Sequence, residues 1–155
     1  MHFNTTATGD IRRTIACAVI ALSWGCGAAS AQDAPTNEPR GFLCTFDQGS
    51  VATYDKGAFR KAAAAALSFE LTEIDLDVQS AKLIASPGAA PGGVRVVRAI
   101  NANHFLEVAN EGFLNLTTIY DRDAATGAHP AVHSRHFGLI GQPVYTQYTG
   151  KCVSK

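Results

Sequence analysis

Three histidines and an arginine fall within HPAVHSRHFG, residues 129–138. Imidazoles at this density suggest a zinc site, which needs three or four ligands converging at about 2.0–2.3 Å from one ion. The spacing argues against it. On a strand, His133 and His136 are an odd number of residues apart and point to opposite faces, and Pro130 sets His129 apart from the strand proper. A helix would align His129, His133 and His136 at i, i+4 and i+7, but Val132 and the short run before Gly138 oppose a helix. His104, His133 and His136 are the residues a metal centre would draw on. No H-E-x-x-H pattern accompanies them, and neither a metal nor any other cofactor is expected.

Nucleophilic chemistry has no better footing. Ser134 lies two residues from His136, whereas a nucleophile and its base usually meet from distant segments. No G-x-S-x-G elbow, P-loop or G-x-G-x-x-G occurs, and the loop PGAAPGG (87–93) lacks the lysine and following helix of a phosphate cradle. No residue is singled out as catalytic. The cluster reads instead as a polar strand of a small β-protein. Arg135 shares a face with His133 and is either a solvated strand residue or a partly buried guanidinium tied to a carboxylate such as Asp75, Asp77 or Glu107, because a buried guanidinium without a partner is costly. Tyr145 and Gln147 share a face opposite Tyr148, so at least one tyrosine belongs to the core. His104, His133, Arg135, His136, Tyr145 and Gln147 together are the candidate binding residues or polar network.

The elements that must position these residues begin after a leader. Arg12 and Arg13 precede the apolar run TIACAVIALSWGCGAA, which ends in the small-residue site Ala29-Ser30-Ala31. This is the pattern of a secretory signal peptide over residues 1–31, and no other stretch reaches the roughly 18 apolar residues of a membrane-spanning helix. Residues 32–40, QDAPTNEPR, read as a flexible leader, and residues 41–155 as one domain. Without residues 1–31 the 13 basic residues fall to 11 and the 13 acidic ones to 12. That balance offers nucleic acid no positive surface. Cys17 and Cys26 leave with the signal, so Cys44 and Cys152 remain, a pair that an oxidising compartment would join. The bridge would tie the first structured segment to the last and, by loop entropy, contribute about 4 to 5 kcal/mol.

Within the domain, short segments alternate apolar and polar residues. GFLCTF and SVATY flank the turn-forming DQG and read as a hairpin. AFRKAAAAALSF reads as a short helix or turn leading into a strand, since its alanines favour helix and Leu67, Phe69 and Leu71 then alternate. Ile74, Leu76 and Val78 continue that alternation. SAKLIAS, VRVVRAI, HFLEVA, FLNLTTIY, AVHSRHF and VYTQY follow, separated by turn chemistry. Asn110-Glu111-Gly112 suits a three-residue hairpin loop that sets Ala109 against Phe113, Val108 against Leu114, Leu106 against Leu116 and His104 against Thr118. This register puts the leucines and Val108 on a buried face and turns Glu107 and Asn115 toward water. About eight strands with at most one short helix indicate an all-β antiparallel barrel or sandwich. A bridge between the end strands favours a barrel, whose closure leaves no long free edge.

Cys44-Thr45-Phe46, LNLTTI (114–119), VHSRH (132–136) and PVYTQYTGKC (143–152) resemble a group of small exported bacterial proteins without an assigned activity. In architecture the chain is more loosely similar to the periplasmic inhibitors of c-type lysozyme, small disulfide-stapled β-barrels that bind an enzyme through a surface loop. Their serine-glycine loop motif does not occur here, and no residue takes a role from them. The expectation is a periplasmic or secreted monomeric β-domain that binds a protein or an envelope component. The alternatives are a metal-binding protein using the histidines of the HSRH segment, and a hydrolase.

Overall fold

The computed structural model describes residues 38–109, 113–137 and 142–155; the segment expected as a signal peptide, most of the expected leader and residues 110–112 and 138–141 lie outside the described residues. Nine strands run in chain order: β1 (Phe42–Asp55), β2 (Ala58–Ala63), β3 (Leu67–Asp75), β4 (Ser80–Ile84), β5 (Gly92–Arg98), β6 (Ala102–Ala109), β7 (Phe113–Tyr120), β8 (His129–Phe137) and β9 (Val144–Ser154). From β3 to β9 each strand pairs antiparallel with the next, and β1 pairs with both β3 and β9. Eight strands thus form a closed meander barrel, and β2 is added outside it along the second half of β1. No helix among the described residues is long and apolar enough to cross a membrane.

Cys44 and Cys152 face each other directly across β1 and β9, and their sulfurs lie 2.03 Å apart as a disulfide. Around them Phe42, Phe46, Phe69, Leu71, Val96, Phe105 and Ile119 fill the interior. An eight-stranded barrel is just wide enough for its own side chains to fill it.

The first hairpin differs from the sequence expectation. Asp47-Gln48-Gly49 is not a turn but the middle of β1. Between Thr45 and Gln48, β1 advances three residues while β9 advances two, from Lys151 to Thr149. The extra residue is a β-bulge, which bends the strand and reverses the parity of its faces. The true turn is Lys56-Gly57, with φ of 48° and 87°. Two consecutive left-handed residues are what a two-residue hairpin between right-twisted strands requires. That turn folds β2 back onto β1, so residues 58–63 form a strand and not the expected short helix or turn, and residues 64–66 link it to β3. Backbone pairing overrides the alanines' helical preference, a weak term of under 1 kcal/mol per residue.

Strand β3 ends at Asp75, so Leu76 and Val78 do not extend it. The Asp75 carboxylate accepts from the amides of Asp77 and Val78, at 3.0 and 3.1 Å, and turns the chain into β4. Residues 38–40 fall within the stretch expected as a flexible leader. Glu38 pairs with Arg98, and the Arg40 carbonyl accepts from the Ile74 amide at 3.1 Å, so these residues already lie on the barrel.

Candidate functional site

The expected register of β6 and β7 is present at each position, from Ala109 opposite Phe113 to His104 opposite Thr118. The faces are the reverse of those expected. Phe105, Thr117 and Ile119 are buried, whereas Val108 is 74% exposed and Leu114 and Leu116 lie on the outer surface. Glu107 and Asn115 therefore turn into the barrel, and the Asn115 amide donates to Glu107 Oε2 at 2.7 Å. A carboxylate only accepts, so this bond fixes which way the amide points.

The inward residues of successive strands form rows across the wall. Direct pairings align Glu107 with Asn115, Asn115 with Arg135, and Arg135 with Thr146. This polar row lies at the barrel end where β6 finishes and β7 begins, here called the upper mouth. The row beneath it contains Phe105, Thr117, His133 and Tyr148. His133 is 1% exposed and packs against the rings of Phe46, Phe69 and Tyr148, with centroids 5.7, 5.1 and 5.9 Å away. Burial first, and the adjacent Arg135 charge second, push the His133 pKa down to about 4. The ring is therefore neutral near pH 7.

Arg135 does not pair with Asp75, Asp77 or Glu107 as the sequence suggested; among the described residues it has no carboxylate partner. Its Nε donates to His133 Nε2 at 3.1 Å. A neutral ring that accepts at Nε2 carries its proton on Nδ1, and Nδ1 therefore donates to Thr117 Oγ1 at 2.8 Å. In that tautomer Thr117 has an imidazole donor beside it and no imidazole base. The pair holds Arg135 in place and does not constitute a nucleophile with its activator.

Above the row is a cavity of about 260 Å³, walled by Phe69, Leu83, Phe113 and Phe137, with Glu107, Asn115, His133 and Arg135 supplying the polar lining. Phe113 and Phe137 meet edge to face at 5.1 Å. Two atoms of the polar row are buried without a hydrogen-bond partner among the described residues: Asn115 Oδ1 and Thr146 Oγ1. Each such atom costs about 1–3 kcal/mol. A small cavity that combines a guanidinium, a carboxylate and the unfilled Asn115 Oδ1 acceptor suits a polar solute better than an apolar one.

The remaining candidates lie elsewhere. His129 belongs to β8 despite Pro130, and it is buried at the opposite end of the barrel. Its Nδ1 donates to the Tyr120 carbonyl at 2.9 Å and its Nε2 meets Ser154 Oγ at 3.2 Å. His104 bonds Thr118 Oγ1 at 2.9 Å through Nδ1, on the outward face with Leu106. His136 and Tyr145 are direct cross-strand partners on the outside, as are Ser134 and Gln147. His104, His133 and His136 thus sit on opposite sides of the wall and do not converge, and no metal-sized cluster of His, Cys, Asp or Glu forms among the described residues. Tyr148 is the core tyrosine.

Sequence reasoning named His133 and Arg135 but missed Glu107, Asn115 and Thr146 as inward residues. The available signal was in β8: once Arg135 and His133 share the inner face, a register shared with β7 forces Asn115 inward. No protein-family model, no curated protein and no solved structure matches this chain.

Proposed function

We propose that the protein is an exported binding module, periplasmic or secreted, that holds a small polar solute of the cell envelope in the upper mouth of its barrel. One observation carries this reading. Glu107, Asn115 and Arg135 of the inward row line a cavity, and Asn115 Oδ1 there is buried with no hydrogen-bond partner among the described residues. Such groups are ordinarily satisfied in folded proteins, and a solute that supplies the complementary groups recovers their cost. Small antiparallel barrels commonly hold one ligand in this position.

The test is ligand-dependent stabilisation. A solute present at 100 times its Kd raises stability by about 2.7 kcal/mol. Thermal melts of the purified protein against a panel of small carboxylates, phosphates, sugars and amino acids are expected to identify members that raise Tm. Arg135→Gln is expected to abolish the shift while keeping a cooperative melt. A panel in which no member moves Tm, or moves the amide NMR signals of the mouth, rejects the reading.

A second reading, docking of a protein on the outside of β6 and β7, is favoured by the exposure of Val108, Leu114 and Leu116 on one outer face. Apolar side chains grouped there mark interaction surfaces more often than isolated ones do. Its inhibitor version is tested by lysis with c-type lysozyme in the presence of a molar excess of the protein. Slowed lysis supports that version, and undiminished lysis removes it.

A further inference from the structure

The charges of the upper mouth are arranged so that one simple anion or cation leaves part of the row unsatisfied. Arg135 and Glu107 face the same cavity but form no ion pair within 4.0 Å among the described residues. Asn115 stands between them, one strand from each, so their backbones are two strand spacings apart, roughly 9.5 Å. Asn115 donates one amide hydrogen to Glu107 Oε2, and its Oδ1 is a bare acceptor among the described residues. Among the described residues Arg135 spends only Nε, on His133, and its terminal nitrogens form a two-pronged donor of the shape that fits a carboxylate. The mouth therefore presents paired donors at β8 and a cluster of acceptors at β6 and β7, with phenyl rings above them.

We infer that the mouth takes a zwitterion of the free α-amino-acid type, its carboxylate on the Arg135 guanidinium and its ammonium against Glu107 Oε1 and Asn115 Oδ1. This inference rests on the reading of the mouth as a solute site. An ammonium brings three donors and no acceptor, which matches acceptors that lack donors. A carboxylate does the converse at Arg135. The cavity of about 260 Å³ is below the roughly 300–1,000 Å³ of pockets for drug-sized ligands, so the occupant is a single small solute. Phe113 and Phe137 at the rim suit an apolar side chain.

The test compares free and blocked forms of the same molecule. Calorimetry and amide NMR titrations use alanine, phenylalanine, N-acetylphenylalanine, which lacks the ammonium, and phenylalanine amide, which lacks the carboxylate. Free phenylalanine is expected to bind at least tenfold more tightly than either blocked form and to shift the signals of Asn115 and Arg135. Glu107→Gln, nearly isosteric, is expected to abolish the advantage over N-acetylphenylalanine, and Arg135→Gln the advantage over the amide. If Arg135→Gln does not give a folded spectrum, Glu107→Gln carries the test alone. Equal binding of free phenylalanine and a blocked form at the mouth overturns the zwitterion and leaves the solute site standing. Silence from both amino acids and both blocked forms, while another solute shifts the same signals, also overturns it. Silence from every solute overturns both.

Discussion

His133 holds the interior and the mouth together, because one neutral ring accepts from Arg135 and donates to Thr117. The groups facing it are Arg135 on its own strand, Thr117 on β7, Tyr148 on β9 and the rings of Phe46 and Phe69. None of them is a carboxylate that would favour its charged form. Its folded-state pKa of about 4 lies below the ordinary 6.5, so between these values the unfolded chain binds the proton and the folded one does not. Stability therefore falls as pH drops from about 6.5 to about 4 and levels off below, a loss of about 3 kcal/mol from this group. Denaturant titrations across that window are expected to show it, and His133→Gln is expected to flatten the slope. An unchanged slope in the variant would place the ring outside the core. Gly150 is a second single-residue constraint. A Cβ there would meet the Thr45 carbonyl and come 2.7 Å from Phe46 Cα, both backbone atoms. Backbone of the bulged strand cannot move aside as a side chain can. Gly150→Ala is expected to cost about 3 kcal/mol, at the upper end for overpacking, as read from the denaturation midpoint.

Strand pairing and strand facing are separate problems, and β6 and β7 show the difference. The hairpin register followed from the loop spacing and matches the structure. The choice of face did not, because HFLEVA and FLNLTTIY carry apolar residues on both sides. Leucine and valine content favoured the wrong side, while the barrel buries Phe105, Thr117 and Ile119. Replacing Leu116 by Glu is expected to change stability by no more than about 0.5 kcal/mol, as for ordinary surface sites, whereas Phe105→Ala is expected to cost about 3–5 kcal/mol. Chemical denaturation of the two variants checks both, and the opposite order would restore the leucine-in facing. Period-two alternation revealed most strands, and the Pro and Gly of PGAAPGG revealed the link between β4 and β5. It could not reveal the bulge at Thr45–Gln48, where one added residue reverses parity. Nor could it reveal β2, whose six exposed residues have no apolar face to announce a strand. Arg60 and Lys61 on that outer strand carry the charge that keeps a free edge from pairing with another chain. The candidate site was half visible for the same reason: His133 and Arg135 declare themselves by type, but Asn115, Glu107 and Thr146 become a site only once the facing is known.

Closure of the barrel depends on the two ends of the described domain meeting. Strand β1 pairs with β9 from Phe42–Ser154 to Thr53–Val144, and within that seam the disulfide joins residues 108 apart in sequence. This feature was readable in advance, since only Cys44 and Cys152 lie beyond residues 1–31 and they flank nearly the whole domain. Cross-linking so long a loop removes unfolded-state freedom worth about 4 to 5 kcal/mol. The native hydrogen bonds of the seam remain when the bond is cut, so the reduced protein is expected to keep its fold and lose stability. For a domain of this size each kcal/mol corresponds to roughly 4 °C, so reductant is expected to lower Tm by roughly 15 to 20 °C in a calorimetric melt. Cys44→Ala combined with Cys152→Ala is expected to reproduce most of that fall, with an added contribution from the small voids left inside. A reduced protein that melts within a few degrees of the oxidised one would show that the β1–β9 seam holds the ends together even in the unfolded ensemble, and loop entropy would then not be the source of closure.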